Sequence, residues 1–248
     1  MRVMRNTIHL TAAIAVCLVH SDPLLGQTAQ PVRVIFDQAH GEQPPPPQMG
    51  DTARKLGLDV QTSPGPITAD VLKGAGILYV RAPNGEFTTP EIDAIVAFVK
   101  GGGSLLLVLD EERRQSLAKT RVNELISPFG MKLTPDTDYL HNTGAIAKAG
   151  VINKADREVP FSGGRAVEGG TPFAFQLDAA GKPSHPFGAY TRLDTGGRIV
   201  VLGEGMASLF LGEPDAVRLS GTQTTLTPYW GKDSAIFMEE VLLWLSRK

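Results

Sequence analysis

Cysteine is nearly absent. The only one in 248 residues is Cys17, so the chain from residue 31 onward has none. That excludes intrachain disulfides, thiolate zinc sites and a cysteine nucleophile in that part of the chain. No charge of one sign dominates: 24 Lys and Arg stand against 26 Asp and Glu, with no basic stripe. Nucleic acid is therefore not an expected partner. No apolar run has the length of a comfortable membrane span. Internal repeats are absent, as are HExxH and paired-histidine metal motifs. "GEGMAS" after Leu202 has glycines but lacks the Lys-Ser/Thr of a phosphate loop. No small-x-Ser-x-small elbow follows a candidate strand.

The first 30 residues read as an export signal. Arg2 and Arg5 form a positive start, Ile8 to Val19 ("IHLTAAIAVCLV") a short apolar stretch, and Gly26 and Ala29 small residues at cleavage points. A start near Gln27 or Gln30 is expected after processing, with an uncleaved anchor as the alternative and the chain's one route to a membrane. Val16 stands before Cys17 where a lipid-attachment signal needs a small residue. The expected location is periplasmic or extracellular. Residues 31–248 are expected to form one α/β domain.

Five stretches read as strands: "VRVIF" (Val32 to Phe36), "LDVQT" (Leu58 to Thr62), "GILYV" (Gly76 to Val80), "SLLLVL" (Ser104 to Leu109) and "RIVVLG" (Arg198 to Gly203). Most are continuous apolar runs, the pattern of strands covered on both faces. Three helices are expected. The best begins with Thr89 as N-cap, Pro90 at N1 and Glu91 facing the positive end of the dipole. Ile92, Ile95, Val96 and Val99 form its inward stripe, and Gly101 stops it. A second covers Gln115 to Ser127, and a third carries Phe237, Val241 and Trp244. Strands alternating with helices predict a doubly wound, mostly parallel sheet, a flavodoxin-like three-layer sandwich. Val151 to Tyr190, rich in Gly and Pro, is expected to be a small antiparallel extension. "QPPPPQ" (Gln43 to Gln48) reads as a stiff loop wall or, less simply, a ligand for another module.

In an open parallel sheet, ligands bind beyond the carboxyl ends of the strands. The first strand exits into Asp37, Gln38, His40 and Glu42, and the third into Arg81 and Asn84. The fourth exits into Asp110, Glu111, Glu112 and Arg113, and the last into Glu204. The candidate ligand-binding set is Asp37, His40, Glu42, Arg81, Asn84, Asp110, Glu111 and Glu204, gathered in one cleft with the first and fourth strands as neighbours. Each has a plainer reading: Asp37 and Asp110 as turn or helix caps, "DEERR" as a solvated helix start, His40 as a local turn partner. His141 and His185 fall outside this set.

The pieces "VIFDQAHGE", "GILYVRAPNGEFTTPEIDAIVAFVKGGGSLLLVLD" and "GGRIVVLGEGMASLF" with "FMEEVLLWL" resemble the class I glutamine amidotransferase-like superfamily, specifically its noncatalytic branch of GIFT-type domains and bacterial periplasmic proteins. True members carry a cysteine nucleophile just after the strand that corresponds to Ser104–Leu109, with a downstream histidine and glutamate. Here Asp110 and Glu111 follow that strand. The resemblance therefore implies a secreted noncatalytic module that binds a small molecule, a carbohydrate or an exported protein. The alternative is a hydrolase using carboxylates and His40. No organic cofactor is expected; a divalent cation belongs to the hydrolase alternative, with its ligands unassigned.

Overall fold

The computed structural model describes residues 31–42, 44–137, 144–161, 163–210 and 232–246. The expected signal segment and His141 lie outside them. The elements run β1 (Val32–Asp37), α1 (Pro47–Lys55), β2 (Leu58–Ser63), α2 (Ala69–Leu72), β3 (Ile77–Arg81), α3 (Thr89–Lys100), β4 (Ser104–Val108), α4 (Leu117–Thr120), α5 (Val122–Ile126), β5 (Met131–Asp136), β6 (Ala145–Ala147), β7 (Arg157–Val159), β8 (Arg165–Gly169), β9 (Thr171–Leu177), β10 (Pro183–Arg192), β11 (Arg198–Leu202) and α6 (Ser234–Ser246). Among the described residues no helix is long and apolar enough to cross a membrane.

Nine strands form one sheet in the order β2-β1-β3-β4-β11-β10-β9-β6-β7, and β5 pairs with β8 separately. The five strands from β2 to β11 are parallel, as the apolar runs predict. The antiparallel part is larger than expected. It takes four of the nine strands and begins at β6, before Val151. Its strands mix polar and apolar residues, which blurs the signal that a continuous apolar run supplies.

Period-two alternation divides the parallel strands between two cores. Val34, Phe36, Tyr79, Leu106 and Val200 pack with Met49 and Ala53 of α1 and Phe237 and Val241 of α6. Ile35, Leu78, Leu107 and Val201 pack with Ile95 and Val99 of α3 and Leu125 of α5. The stripe predicted for α3 is thus the buried one, with Val96 only partly covered.

Three local expectations are corrected. The N-cap of α3 is Thr88, one residue earlier than predicted, because Glu91 at the third helical position reaches back to it. The predicted Gln115 to Ser127 helix is broken at Arg121, which adopts left-handed φ of 60° and separates α4 from α5. The prolines do not end in a loop: Pro47 opens α1, where a missing N–H costs nothing and the fixed φ suits the first turn.

Candidate functional site

β1 delivers Asp37, its last residue, to the carboxyl edge of the sheet, and a tight turn follows. One Asp37 oxygen accepts from the Ala39 N–H at 2.9 Å; the other lies 2.7 Å from His40 Nδ1. The His40 N–H donates to Glu42 Oε2 at 2.9 Å. Gly41 takes φ of 78°, a conformation that favours glycine and turns Glu42 back over the loop. The loop after β3 clamps this turn: the N–H groups of Asn84 and Gly85 both donate to the His40 carbonyl at 2.7 Å. A side chain at position 85 would sit 2.9 Å from the His40 Cα, so only glycine allows that approach.

α3 closes the other side. His40 Nε2 lies 3.3 Å from Glu91 Oε1, and Phe87 stacks on the imidazole with ring centroids 3.8 Å apart. Glu91 also accepts from the Thr88 hydroxyl and N–H and from the Ile67 N–H. Asp37, His40 and Glu42 are 0%, 4% and 7% exposed. Each offers one donor atom within 4.8 Å of the others, and among the described residues they form the group able to hold a metal ion.

Burial sets the electrostatics. It would depress the His40 pKa, but the Asp37 hydrogen bond and the charges of Asp37 and Glu91 outweigh it and raise the pKa above 6.5. Burial, with the nearby Asp37 charge, pushes the Glu42 carboxyl up to about 9. Burial also acts upward on Glu91, yet the donors from Thr88 and Ile67 and the His40 charge leave it below the usual carboxylate value.

A second network lies at the end of β4. Asp110 accepts from the Glu111 N–H at 2.8 Å, and its own N–H donates to Gln115 Oε1 at 2.9 Å. Burial raises the Asp110 pKa. Glu111 receives Arg114 Nε at 3.0 Å and Arg113 Nε at 2.5 Å. The centre of this network is Arg165, wholly buried at the start of β8. Its guanidinium donates to the carbonyls of Asp110, Gln115 and Thr134 and to Glu112 Oε2.

All eight candidate residues leave the carboxyl ends of parallel strands, but they do not form one open cleft. β3 lies between β1 and β4, contrary to the expectation that the first and fourth strands are neighbours. The Asp37 and Asp110 strands are two spacings apart, about 10 Å. Arg81, in between, is buried and donates to Ser208 Oγ at 3.0 Å. Asn84 serves through its backbone. Glu204 is buried and accepts from the Met206 N–H at 2.8 Å, capping a short turn. His185 lies near the amino end of antiparallel β10, four strand positions from β1. Reasoning from sequence missed Phe87, Glu91 as a partner of His40, and Arg165; no local spacing links them to their partners. A separate cleft of about 830 Å³ opens at the amino ends of β1, β4 and β11, beside Val32, Ser104 and Arg198.

Fold and site define a mixed α/β domain whose strand-exit polar groups are turned inward, with Asp110 and Glu111 following β4. Residues 34–216 match the IFT52 GIFT domain family, and the chain belongs to that family. The mmIFT52 N-terminal domain is similar in structure, with a TM-score of 0.62, 17% identity, and 87% of this chain and 98% of that one covered. The cytoplasmic protein STM3548 from Salmonella typhimurium has a TM-score of 0.51 and 13% identity over 86% of this chain and 97% of its own. Both likenesses concern the fold. A GMP synthase-type protein from Thermoplasma acidophilum is more distant, at 11% identity and a TM-score of 0.48 over 87% and 94% of the two chains. No curated protein matches the chain.

Proposed function

We propose that this GIFT-family domain is a noncatalytic assembly module that acts outside the cytoplasm and binds an exported protein partner. The carrying observation is at the end of β4. Asp110 and Glu111 follow β4, where the resemblance would put the amidotransferase nucleophile; Arg113 and Arg114 pair with Glu111, and buried Arg165 donates to the Asp110 carbonyl. A site built to turn over substrate needs a group that is both reactive and reachable; the residues here are committed to one another. The same burial weighs against a small-molecule or carbohydrate ligand at this rim. Export rests on the pattern of Arg2, Arg5 and the Ile8–Val19 stretch.

The hydrolase reading has one observation in its favour: Glu42, held protonated near neutral pH, stands beside the Asp37–His40 pair as an acid beside a base. One experiment separates the two. Photocrosslinking from exposed positions in intact cells, with cell fractionation and mass spectrometry, should yield a discrete adduct with an exported protein. The purified protein should release no ammonia from glutamine and hydrolyse no glycosides. Turnover abolished by His40→Ala, or a protein recovered only as an uncrosslinked cytoplasmic species, would overturn the assembly reading.

A further inference from the structure

The turn after β1 crowds buried carboxyl groups that need a proton or a cation between them. Asp37, Glu42 and Glu91 are three buried carboxyl groups around one imidazole, and His40 is the side chain that bridges Asp37 to Glu91. Buried carboxylates are costly unless a cation or a proton compensates them. Glu42 adds an independent sign. Its Oε2 accepts from the His40 N–H, but no donor reaches buried Oε1, and the carboxyl lies against the Asp37 carboxylate. Buried acceptors are rarely left so without a reason such as an ion.

We infer that Asp37, His40 and Glu42 bind one first-row divalent cation, with Glu91 as the positioning residue for His40. The donor set is one imidazole nitrogen and two carboxylate oxygens, all within 4.8 Å of one another, which suits Zn²⁺ or Mn²⁺. The cation takes the place of the proton between His40 Nδ1 and Asp37 Oδ2. It also stands in for the proton between the Glu42 carboxyl and Asp37. Glu91 lies on the far nitrogen of the ring, as carboxylates do behind metal-ligating histidines, and fixes the tautomer that leaves Nδ1 for the metal. Phe87 and the clamp on the His40 carbonyl hold the ring and the turn still. The bound cation would fasten the turn after β1 on itself, since its three ligands all come from residues 37–42. This inference stands apart from the assembly reading, since a partner can dock whether or not the turn holds metal.

The test is calorimetric titration of the purified, chelator-stripped protein with Zn²⁺ and with Mn²⁺ near neutral pH. One equivalent should bind to at least one of these ions and raise the melting temperature. Glu42→Gln, which preserves size and the bond from the His40 N–H, should weaken binding by tenfold or more; Asp93→Asn on the exposed face of α3 should not. Glu91→Gln should keep the stoichiometry, lower affinity by roughly 10- to 100-fold and shift the visible spectrum of the Co²⁺-loaded protein. No saturable binding of either ion, or binding equally tight in Glu42→Gln, would overturn the inference. Because Glu42→Gln exchanges a carboxyl for an amide of the same size, the outcome does not depend on whether His40→Ala folds.

Discussion

At the scale of single residues, buried charges govern this molecule. Arg165 satisfies three backbone carbonyls and pairs with Glu112, so Arg165→Met should destabilise by about 3–5 kcal/mol, because it strands acceptors that water cannot reach. Urea melts measure this, and a loss below about 1 kcal/mol would show that the network is dispensable. The β1 turn makes a pH prediction. Glu42 and His40 both have folded-state pKa values above their unfolded ones, 4.5 and 6.5. Each therefore binds a proton more tightly in the folded chain. The Glu42 contribution is complete below about pH 4.5 and is lost as pH rises towards about 9; that of His40 begins to fall above 6.5. With chelator present, the melting temperature should drop between pH 5 and pH 9, and Glu42→Gln should flatten that slope. A melting temperature that rises over this range would contradict the burial argument. Asp37, His40 and Glu42 were legible as candidates because one turn brings them together. Glu91 was legible only as a dipole-facing helix residue, since its contact with His40 comes from packing α3 against the loop after β1.

Among the elements, α3 and β4 were the clearest in sequence because each carries its own signals. α3 has a Pro-Glu start and an apolar stripe, and β4 is an unbroken apolar run. Leu107 is fully buried in mid-strand, and Leu107→Ala should cost about 2–5 kcal/mol. Asp93 is exposed on the outer face of α3, and Asp93→Ala should stay within about 0.5 kcal/mol. Equal losses in denaturant melts would mean that the α3 face or the β4 burial is misassigned. α1 was hidden because three prolines precede it, a fourth opens it, and its apolar contribution to the core rests on Met49 and Ala53. The break at Arg121 was hidden too: left-handed backbone at a non-glycine residue has no composition signal, and it is held here by bonds from Arg121 to Glu124, Phe87 and Thr89.

For the whole molecule, the antiparallel strands are part of the main core. Phe173 of β9 stacks on Phe237 of α6 with centroids 5.9 Å apart, and α6 packs beneath the parallel strands. Arg157 of β7 makes a two-pronged pair with Glu240 of α6, which Asn153 also contacts. Phe173→Ala should therefore lower the same single melting transition that Leu107→Ala lowers, by about 3–5 kcal/mol. A separate early transition for the antiparallel strands would show two units. The sequence by itself determined the parallel strands, the α3 stripe and the residues that leave the strand ends, because continuous apolar runs, helical periodicity and chain polarity are properties of neighbours along the chain. Only the tertiary structure decided that β3 lies between β1 and β4, that the expected rim divides into two buried networks, and that Arg165 and Glu91 complete them. Strand order and the contacts it creates depend on how distant segments pack, and no local pattern encodes which strand will lie between two others.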